Sequence, residues 1–325
     1  MTTPLYNTAG NNVSGQFGMP LYGISGMLPF TGNYFWVDET NGSDGNTGGP
    51  SDPFATLTQA LLKCTANNND VVFMTGSVHV TATVAWSKSK THLIGLSPPS
   101  QNSRARIAIA STASTTAVTP LVNVTGAGCI FQNIEVFNGV NANSAQVAWL
   151  EAGGQSYYKN CNFIGTGFLT AAAHAGNRSL SVASDENLFE GCTIGGDTIL
   201  RATGNNATMD LLVNPVSGLG AARNVLRNCI FQAFSSNTAN LHVSIGAGAM
   251  DRYILFDNCI FTNFIAGGGV AMTAAISANA AAGGLVLVNN GFSITGTKIA
   301  ATGGPVYVNG AVPTAGTSSI SVLAT

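Results

Sequence analysis

Phe131-Gln132-Asn133-Ile134, Tyr158-Lys159-Asn160-Cys161, Phe189-Glu190-Gly191-Cys192, Leu226-Arg227-Asn228-Cys229, Phe256-Asp257-Asn258-Cys259 and Val288-Asn289-Asn290-Gly291 are six renderings of one four-residue phrase. Their fourth positions lie 27, 31, 37, 30 and 32 residues apart, a period that marks stacked supersecondary units, none of which can bury a face alone. The first position is always large and apolar, the second always polar, and the third is Asn in five copies and Gly in one. Two residues beyond the fourth come Val136, Phe163, Ile194, Phe231 or Phe261. Successive strand residues point to opposite faces, so a straight chain would throw the apolar fourth position outward. A bend at the third position resets the alternation, and Asn and Gly enter the left-handed region at least cost. Each phrase therefore reads as one corner of one coil of a parallel β-helix.

Coils stacked about 4.8 Å apart turn every position into a ladder. Asn133, Asn160, Asn228, Asn258 and Asn290 form a column whose amides can link coil to coil, satisfying polar groups that would otherwise be buried unpaired. The second column, Gln132, Lys159, Glu190, Arg227, Asp257 and Asn289, alternates in sign and reads as a solvated salt-bridge ladder. Exposed pairs contribute only about 0–1 kcal/mol each, so it specifies register more than it stabilises. Four of the six cysteines, Cys161, Cys192, Cys229 and Cys259, fall in the inward column, where Cys acts as a small hydrophobe. Parallel side chains on adjacent coils have poor torsional geometry for a disulfide. Free buried thiols are expected, and with them folding in a reducing cytoplasm.

The 325 residues suffice for one elongated domain. Only 8% are charged, against about 25% in an ordinary chain, yet 45% are hydrophobic, which excludes disorder. A formal net charge of -2, with Lys and Arg scattered, offers no basic stripe to a nucleic acid. Residues 1–10 lack the basic and apolar regions of a signal peptide. The uncharged span 266–288 is mostly Gly and Ala, interrupted by Thr273, Ser277 and Asn279, so its drive to enter a membrane is weak.

Residues 1–32 carry no charge and hold apolar residues in pieces, among them Leu5, Tyr6, Phe17, Leu21, Tyr22 and Phe30. Too rich in Gly and Pro for a helix and without steady alternation, they read as an extended arm. It either docks on a partner through those six residues or folds back on its own domain. Tyr34 to Val37 is a strand, followed by a turn-rich loop. Asp52 as N-cap and Pro53 at the first helical position then open a helix over 53–64. Phe54, Leu57, Leu61 and Cys64 share one face of it, which suits a cap over the bare edge of the first coil. Strands follow at Val71–Phe73, Val78–Val80, His92–Ile94, Ile107–Ile109 and Leu121–Val124, with longer inserts at 165–180, 202–222 and 233–240. The β-helix is assigned to 33–265. Residues 266–325 carry one charge, Lys298, and read as terminal coils and a cap buried in an oligomer. A trimer suits a three-faced prism.

The order Tyr34-Phe35-Trp36-Val37-Asp38, Asn41-Gly42-Ser43-Asp44-Gly45-Asn46, Pro53-Phe54-Ala55-Thr56-Leu57, Asp70-Val71-Val72-Phe73 and His92-Leu93-Ile94-Gly95-Leu96 resembles the opening of right-handed single-stranded parallel β-helix proteins of the pectate-lyase-like superfamily. It is most similar to the versions in tailed-bacteriophage virions, which are tailspikes or trimeric capsid decoration (cement) proteins. The asparagines at 160, 228 and 258 resemble the superfamily's Asn ladder. The resemblance implies an all-β homotrimer on the capsid exterior, partnered by the major capsid protein. The alternatives are a tailspike-type polysaccharide-degrading enzyme and a receptor-binding fibre.

In enzymes of this kind the resemblance would imply acidic calcium ligands with an Arg base, or paired carboxylates. Hydrolysis needs two carboxyl groups about 5–10 Å apart, and the 14 here are spread thin. The catalytic candidate is Glu151, at the end of the strand from Val147, facing Asp185 or Glu186 one coil on, with His174 and Arg178 in the loop between. Asp38, Asp44 and Asn46 resemble a loose calcium loop but lack its regular spacing and distal Glu, so a structural turn is expected. His79, His92, His174 and His242 have no Cys partner at zinc spacing. No nucleophile elbow or phosphate loop occurs. The reading is therefore a non-catalytic structural protein without metal or cofactor.

Overall fold

Three strands per coil build three faces, and neighbouring coils pair in parallel throughout. The computed structural model describes residues 32–98, 105–111, 114–204, 206–214, 218–264, 268–270, 272, 274–293, 299–301 and 306–308. The first face runs from Tyr34–Asp38 through Asp70–Thr75, Thr91–Gly95, Ile130–Gln132, Tyr157–Lys159, Leu188–Glu190 and Asn224–Arg227 into Tyr253–Asn263 and Leu285–Ser293. The second holds Ser77–Val80, Arg106–Ile109, Glu135–Phe137, Asn162–Ile164, Thr193–Arg201 and Ile230–Ser235. The third holds Val84–Trp86, Val122–Val124, Val147–Glu151, Arg178–Val182, Ala207–Leu211, Leu241–Ile245, Ile276–Ala278 and Ile299–Ala301. Tyr253–Asn263 passes through a corner as one strand and joins the first two faces into a single hydrogen-bonded sheet. The chain is an all-β parallel β-helix.

The corner phrase lies where the alternation demanded it. Asn133, Asn160, Asn228 and Asn258 have φ of 55°, 52°, 54° and 51°, and Gly191 has 64°. The first and fourth positions of each of the first five phrases and the residue two beyond, such as Phe131, Ile134 and Val136, point inward and are buried. Gly76, φ 66°, occupies the same corner in an earlier coil. Asn258 donates its side-chain amide to Asn228 at 2.8 Å. Asn290 lies in Leu285–Ser293, with its side chain outside the described residues. The charged column stacks in register, but its chemistry is more varied than a ladder of alternating ion pairs. Arg227 pairs with Asp257 at 3.0 Å and Asn289 donates to Asp257 at 2.9 Å, while Glu190 accepts from the Tyr157 hydroxyl.

A second asparagine ladder lies inside, where the third face turns into the first. Asn69, Lys90, Gly128, Gln155, Glu186 and Arg223 stack in the left-handed region at that corner. The residues after them, including Ser156, Asn187 and Asn224, are buried. Asn187 Oδ1 accepts from the Ser156 backbone at 3.0 Å. Asn224 Oδ1 accepts from the backbone and side-chain amides of Asn187 at 3.0 and 2.9 Å. Replacing Asn224 with Leu leaves the Asn187 backbone donor unpaired in a dry interior, while the side-chain amide keeps Ser184. At about 1–3 kcal/mol for a buried unpaired donor, denaturant unfolding should show a loss of about 2 kcal/mol. Asn258→Gly, at the exposed corner, should change stability by less than about 0.5 kcal/mol because Gly takes the same backbone conformation freely. Equal losses in the two variants would refute this ranking.

Inside the coils the aromatics pile face to face: Phe131 on Tyr158 at 4.9 Å and Tyr158 on Phe189 at 4.4 Å between centroids. All six cysteines are free and buried.

The cap differs from expectation at its start. The helix is Leu57–Lys63 with Thr56 as N-cap, whose hydroxyl accepts from Gln59 N at 3.1 Å. Asp52 does not cap it: its carboxylate accepts from Thr47 N and Oγ1 at 2.8 and 3.0 Å. Phe54 is held extended as a bridge to Val37, and the Pro53 carbonyl accepts from Ser43 and Asn46, so no helix can start before residue 56. Lys88 Nζ closes the other end on the Leu61 and Cys64 carbonyls at 2.6 and 2.5 Å.

The span 202–222 is not a plain insert, since it contains the third-face strand Ala207–Leu211. The span 165–180 runs into Arg178–Val182, and 233–240 begins inside Ile230–Ser235. Within 266–288 lie Ile276–Ala278 and the start of Leu285–Ser293. Among the described residues no helix is long and apolar enough to cross a membrane. The arm residues Leu5, Tyr6, Phe17, Leu21, Tyr22 and Phe30, and the alternation at 319–323, lie outside the described residues.

Candidate functional site

Glu151 ends the strand Val147–Glu151, two residues after Trp149, and a period of two puts both on one side. That side is the interior, where both are 0% exposed. Glu151 Oε1 accepts from Gly153 N at 2.8 Å, Gly154 N at 2.7 Å and Ser184 Oγ at 3.0 Å. Oε2 accepts from the Tyr158 hydroxyl, which in turn accepts from Trp149 Nε1 at 3.1 Å. Burial pushes the Glu151 carboxyl above the usual range, against the pull of these donors, and pushes the Tyr158 hydroxyl up as well. The carboxylate closes the turn after the third face and fastens it to the aromatic pile. It faces the coil interior and not the outer surface.

Asp185 and Glu186 lie on the exposed outer side of that turn and do not meet Glu151. Asp185 Oδ1 accepts from Ala222 N at 2.7 Å. Glu186 pairs with Arg223 at 2.6 Å, and that hydrogen bond holds its carboxyl below the usual range. His174 Nδ1 accepts from Gly176 N at 3.0 Å, and Arg178 pairs with Asp210 at 2.9 Å. The five members of the expected catalytic cluster thus make five separate structural contacts. Asp38, Asp44 and Asn46 form a turn, with Asp38 accepting from Thr40 N and Asn41 N, Asp44 from Ala55 N and Thr56 N, and Asn46 donating to Pro53 O. Among the described residues no group of three or more His, Cys, Asp or Glu could hold a metal ion.

A concavity with a volume of about 670 Å³ opens on the outer side of the second face and its inserts. Glu39 accepts from both the backbone and Nδ1 of His79 at 2.8 Å. Arg106 pairs at 2.6 Å with Glu135, whose side chain is fully buried, and its guanidinium sits 5.6 Å from the Phe137 ring centre. Phe168, half exposed, forms part of the lining. Sequence reading missed this site because its members come from different coils and loops, and only the register brings His79, Ala108 and Phe137 into one row. Such a mixture of aromatic rings with a few fixed polar groups can bind a small organic ligand.

No protein-family model matches this sequence, and no curated protein matches it. Solved structures do. A rhamnogalacturonan lyase superposes with a TM-score of 0.55 at 13% identity, covering 86% of this chain and 68% of the other. Pectin methylesterase PemA from Erwinia chrysanthemi gives 0.56 at 13%, covering 88% and 92%. Pectate lyase Pel9A gives 0.53 at 14%, covering 86% and 68%. These are right-handed parallel β-helix proteins, and this chain has that fold. Identity at this level carries architecture alone.

Proposed function

We propose that this chain is a structural, non-catalytic component of a tailed-phage virion. In this reading it is a decoration protein on the capsid exterior, homotrimeric, with the major capsid protein as its partner. The observation that carries the reading is the use of Glu151, the carboxylate best placed in sequence for catalysis, as a buried turn lock. Asp185, Glu186 and Asp257 are likewise committed to corner contacts. An uncharged arm of 32 residues adds a surface suited to apolar docking. The test is to add purified protein to capsids that lack it and count bound copies per particle, with subunit number measured by light scattering. Saturable occupancy by trimers is expected. A folded protein that leaves capsids bare would end the decoration reading.

A polysaccharide-degrading enzyme is the second reading, favoured by the groove beside Glu39 and His79. It requires release of reducing or unsaturated sugar ends from host polysaccharide, lost in Glu39→Gln and His79→Ala.

A further inference from the structure

A guanidinium is shut inside the coils without a countercharge. Arg201 ends the long strand Thr193–Arg201, where the second face turns into the third, and is only 5% exposed. Its Nη1 donates to Asn206 Oδ1 at 2.9 Å and its Nη2 to Thr208 Oγ1 at 3.0 Å. Both acceptors are neutral, and Nε has no partner among the described residues. All 14 side-chain carboxylates lie among those residues, and none forms an ion pair with Arg201. Asp210, two residues beyond Thr208, is taken by Arg178 at 2.9 Å. Burial and the Arg178 charge bring the Arg201 pKa down to about 10, so the group keeps its proton at neutral pH.

His242 stands beside it, with neither ring nitrogen hydrogen-bonded to a described residue. Where Ala207–Leu211 pairs with Leu241–Ile245, Met209 is in register with Val243. Thr208 and His242 therefore hold one position in successive coils, about 4.8 Å apart. Val243 points into the core, and strict alternation would put His242 outside. A bulge turns it in: His242 N and Val243 N both donate to Ala275 O at 2.9 Å. The imidazole is 0% exposed and lies 6.4 Å from the Phe231 ring and 5.8 Å from Phe261. Burial and the Arg201 charge hold its pKa down at about 3. Neutral neighbours close the niche. Asn240 Nδ2 donates to Arg201 O and Ser235 Oγ at 3.0 and 2.7 Å, and its Oδ1 accepts from Asn206 N at 3.0 Å. Asn206, Thr208, Ser235 and Asn240 are all buried.

We propose that Arg201 and His242 hold a small monovalent anion, a halide such as chloride, between the coils. Buried charges in proteins are paired, and a buried ion stripped of its partner is strongly destabilising. Guanidinium cannot escape by losing its proton, and neutral imidazole offers one N–H donor. A water molecule here satisfies hydrogen bonds and leaves the charge uncancelled. A halide accepts from Arg201 Nε and from the imidazole N–H and cancels the charge as well. A sulfate would present four acceptor oxygens to these two groups, more than their spare donors can serve. Because the surrounding side chains are shut off from water, the ion is taken up as one coil closes on the next and is part of the folded interior.

The experiment follows urea unfolding of the full chain at constant ionic strength, with chloride replaced stepwise by methanesulfonate. Above saturation, the wild-type folding equilibrium constant should rise about tenfold for each tenfold rise in chloride. Arg201→Met, which removes the charge and keeps a long side chain, should lose that slope. No slope in the wild type overturns the proposal. An equal slope in both proteins is a general salt effect and overturns it too. Where Arg201→Met does not fold, wild-type crystals grown in sodium bromide decide the matter. Anomalous scattering should place a bromide within hydrogen-bond reach of Arg201 Nε and the His242 ring. Bromide on the outer surface alone would be an adventitious ion only, and that result, or a water without anomalous signal between the two side chains, overturns the proposal. Neither readout involves capsids, so this site and the decoration reading can fail separately.

Discussion

Glu151→Ala should cost about 4 kcal/mol of stability, near the limit for one substitution. The change strips the acceptor from Gly153 N, Gly154 N and the Tyr158 hydroxyl and leaves the Ser184 hydroxyl only the carbonyl of residue 151. Each buried donor left without a partner costs about 1–3 kcal/mol. Water entering the vacated space recovers part of that, and the deleted carboxylate no longer has to be desolvated. Against a domain total of about 5–15 kcal/mol, the variant should unfold at much lower urea, checked by near-ultraviolet circular dichroism of the aromatic pile. Unchanged stability would refute the turn-lock assignment. Glu151→Gln keeps the shape and one acceptor and should cost only about 1–2 kcal/mol.

The pair also predicts a pH dependence. Burial raises the folded-state pKa of Glu151 above its unfolded value of about 4.3. A raised carboxyl contributes stability that is fully present below the unfolded value and lost as pH rises through the folded one. Relative to Glu151→Gln, the wild type should therefore lose stability from about pH 4 upward. Asp38, Glu186 and Asp257, whose carboxyls lie below the usual range, act in the opposite sense but are common to both proteins and cancel in the difference.

Phe189→Ala should cost about 3–5 kcal/mol, the usual range for emptying a buried phenyl site. Phe189 is fully buried, stacks on Tyr158 at 4.4 Å and meets Phe163 edge-on at 6.4 Å. The coils on either side present Tyr158 and Leu226 at the same position, held by main-chain pairing on both strands, so little can move in to fill the gap. In a stack where each unit touches only its neighbours, the damage should stay local. Hydrogen exchange should speed up at 157–164 and 224–231 and remain slow at 70–80. Uniform acceleration along the chain would count against this nearest-neighbour picture. Leu285→Ala, at a side chain 42% exposed, should change stability by less than about 0.5 kcal/mol.

The architecture was readable because Asn and Gly do one job at the corner between the first two faces, and a bend that resets alternation leaves a mark in the sequence. The mark fades in the early coils, where Gly76 stands alone and the chain between Gly95 and Arg106 separates the two strands. The inner ladder of Asn187 and Asn224 went unread because Ser156 and Cys129 hold the matching places in earlier coils, so no single residue type repeats. Glu151 was misjudged for a different reason: a charged residue at a strand end suggests solvent, yet its distance of two from Trp149 already placed it inward. The helix start was lost because Asp52-Pro53 has the ideal composition for a cap, while the bridge from Phe54 to Val37 holds the chain extended there. The groove beside His79 could not be read from any local pattern.

The thiol file along the interior has a practical corollary. Burial lifts Cys64 to about 12 and Cys129 to about 11, and pushes Cys192 and Cys229 well up, so the native protein should be inert to alkylating reagents at neutral pH. Every equivalent of label taken up would then record one excursion of a coil into water. Mapping the labelled sites would rank the coils by how often each opens, giving the prism a clock at nearly every storey.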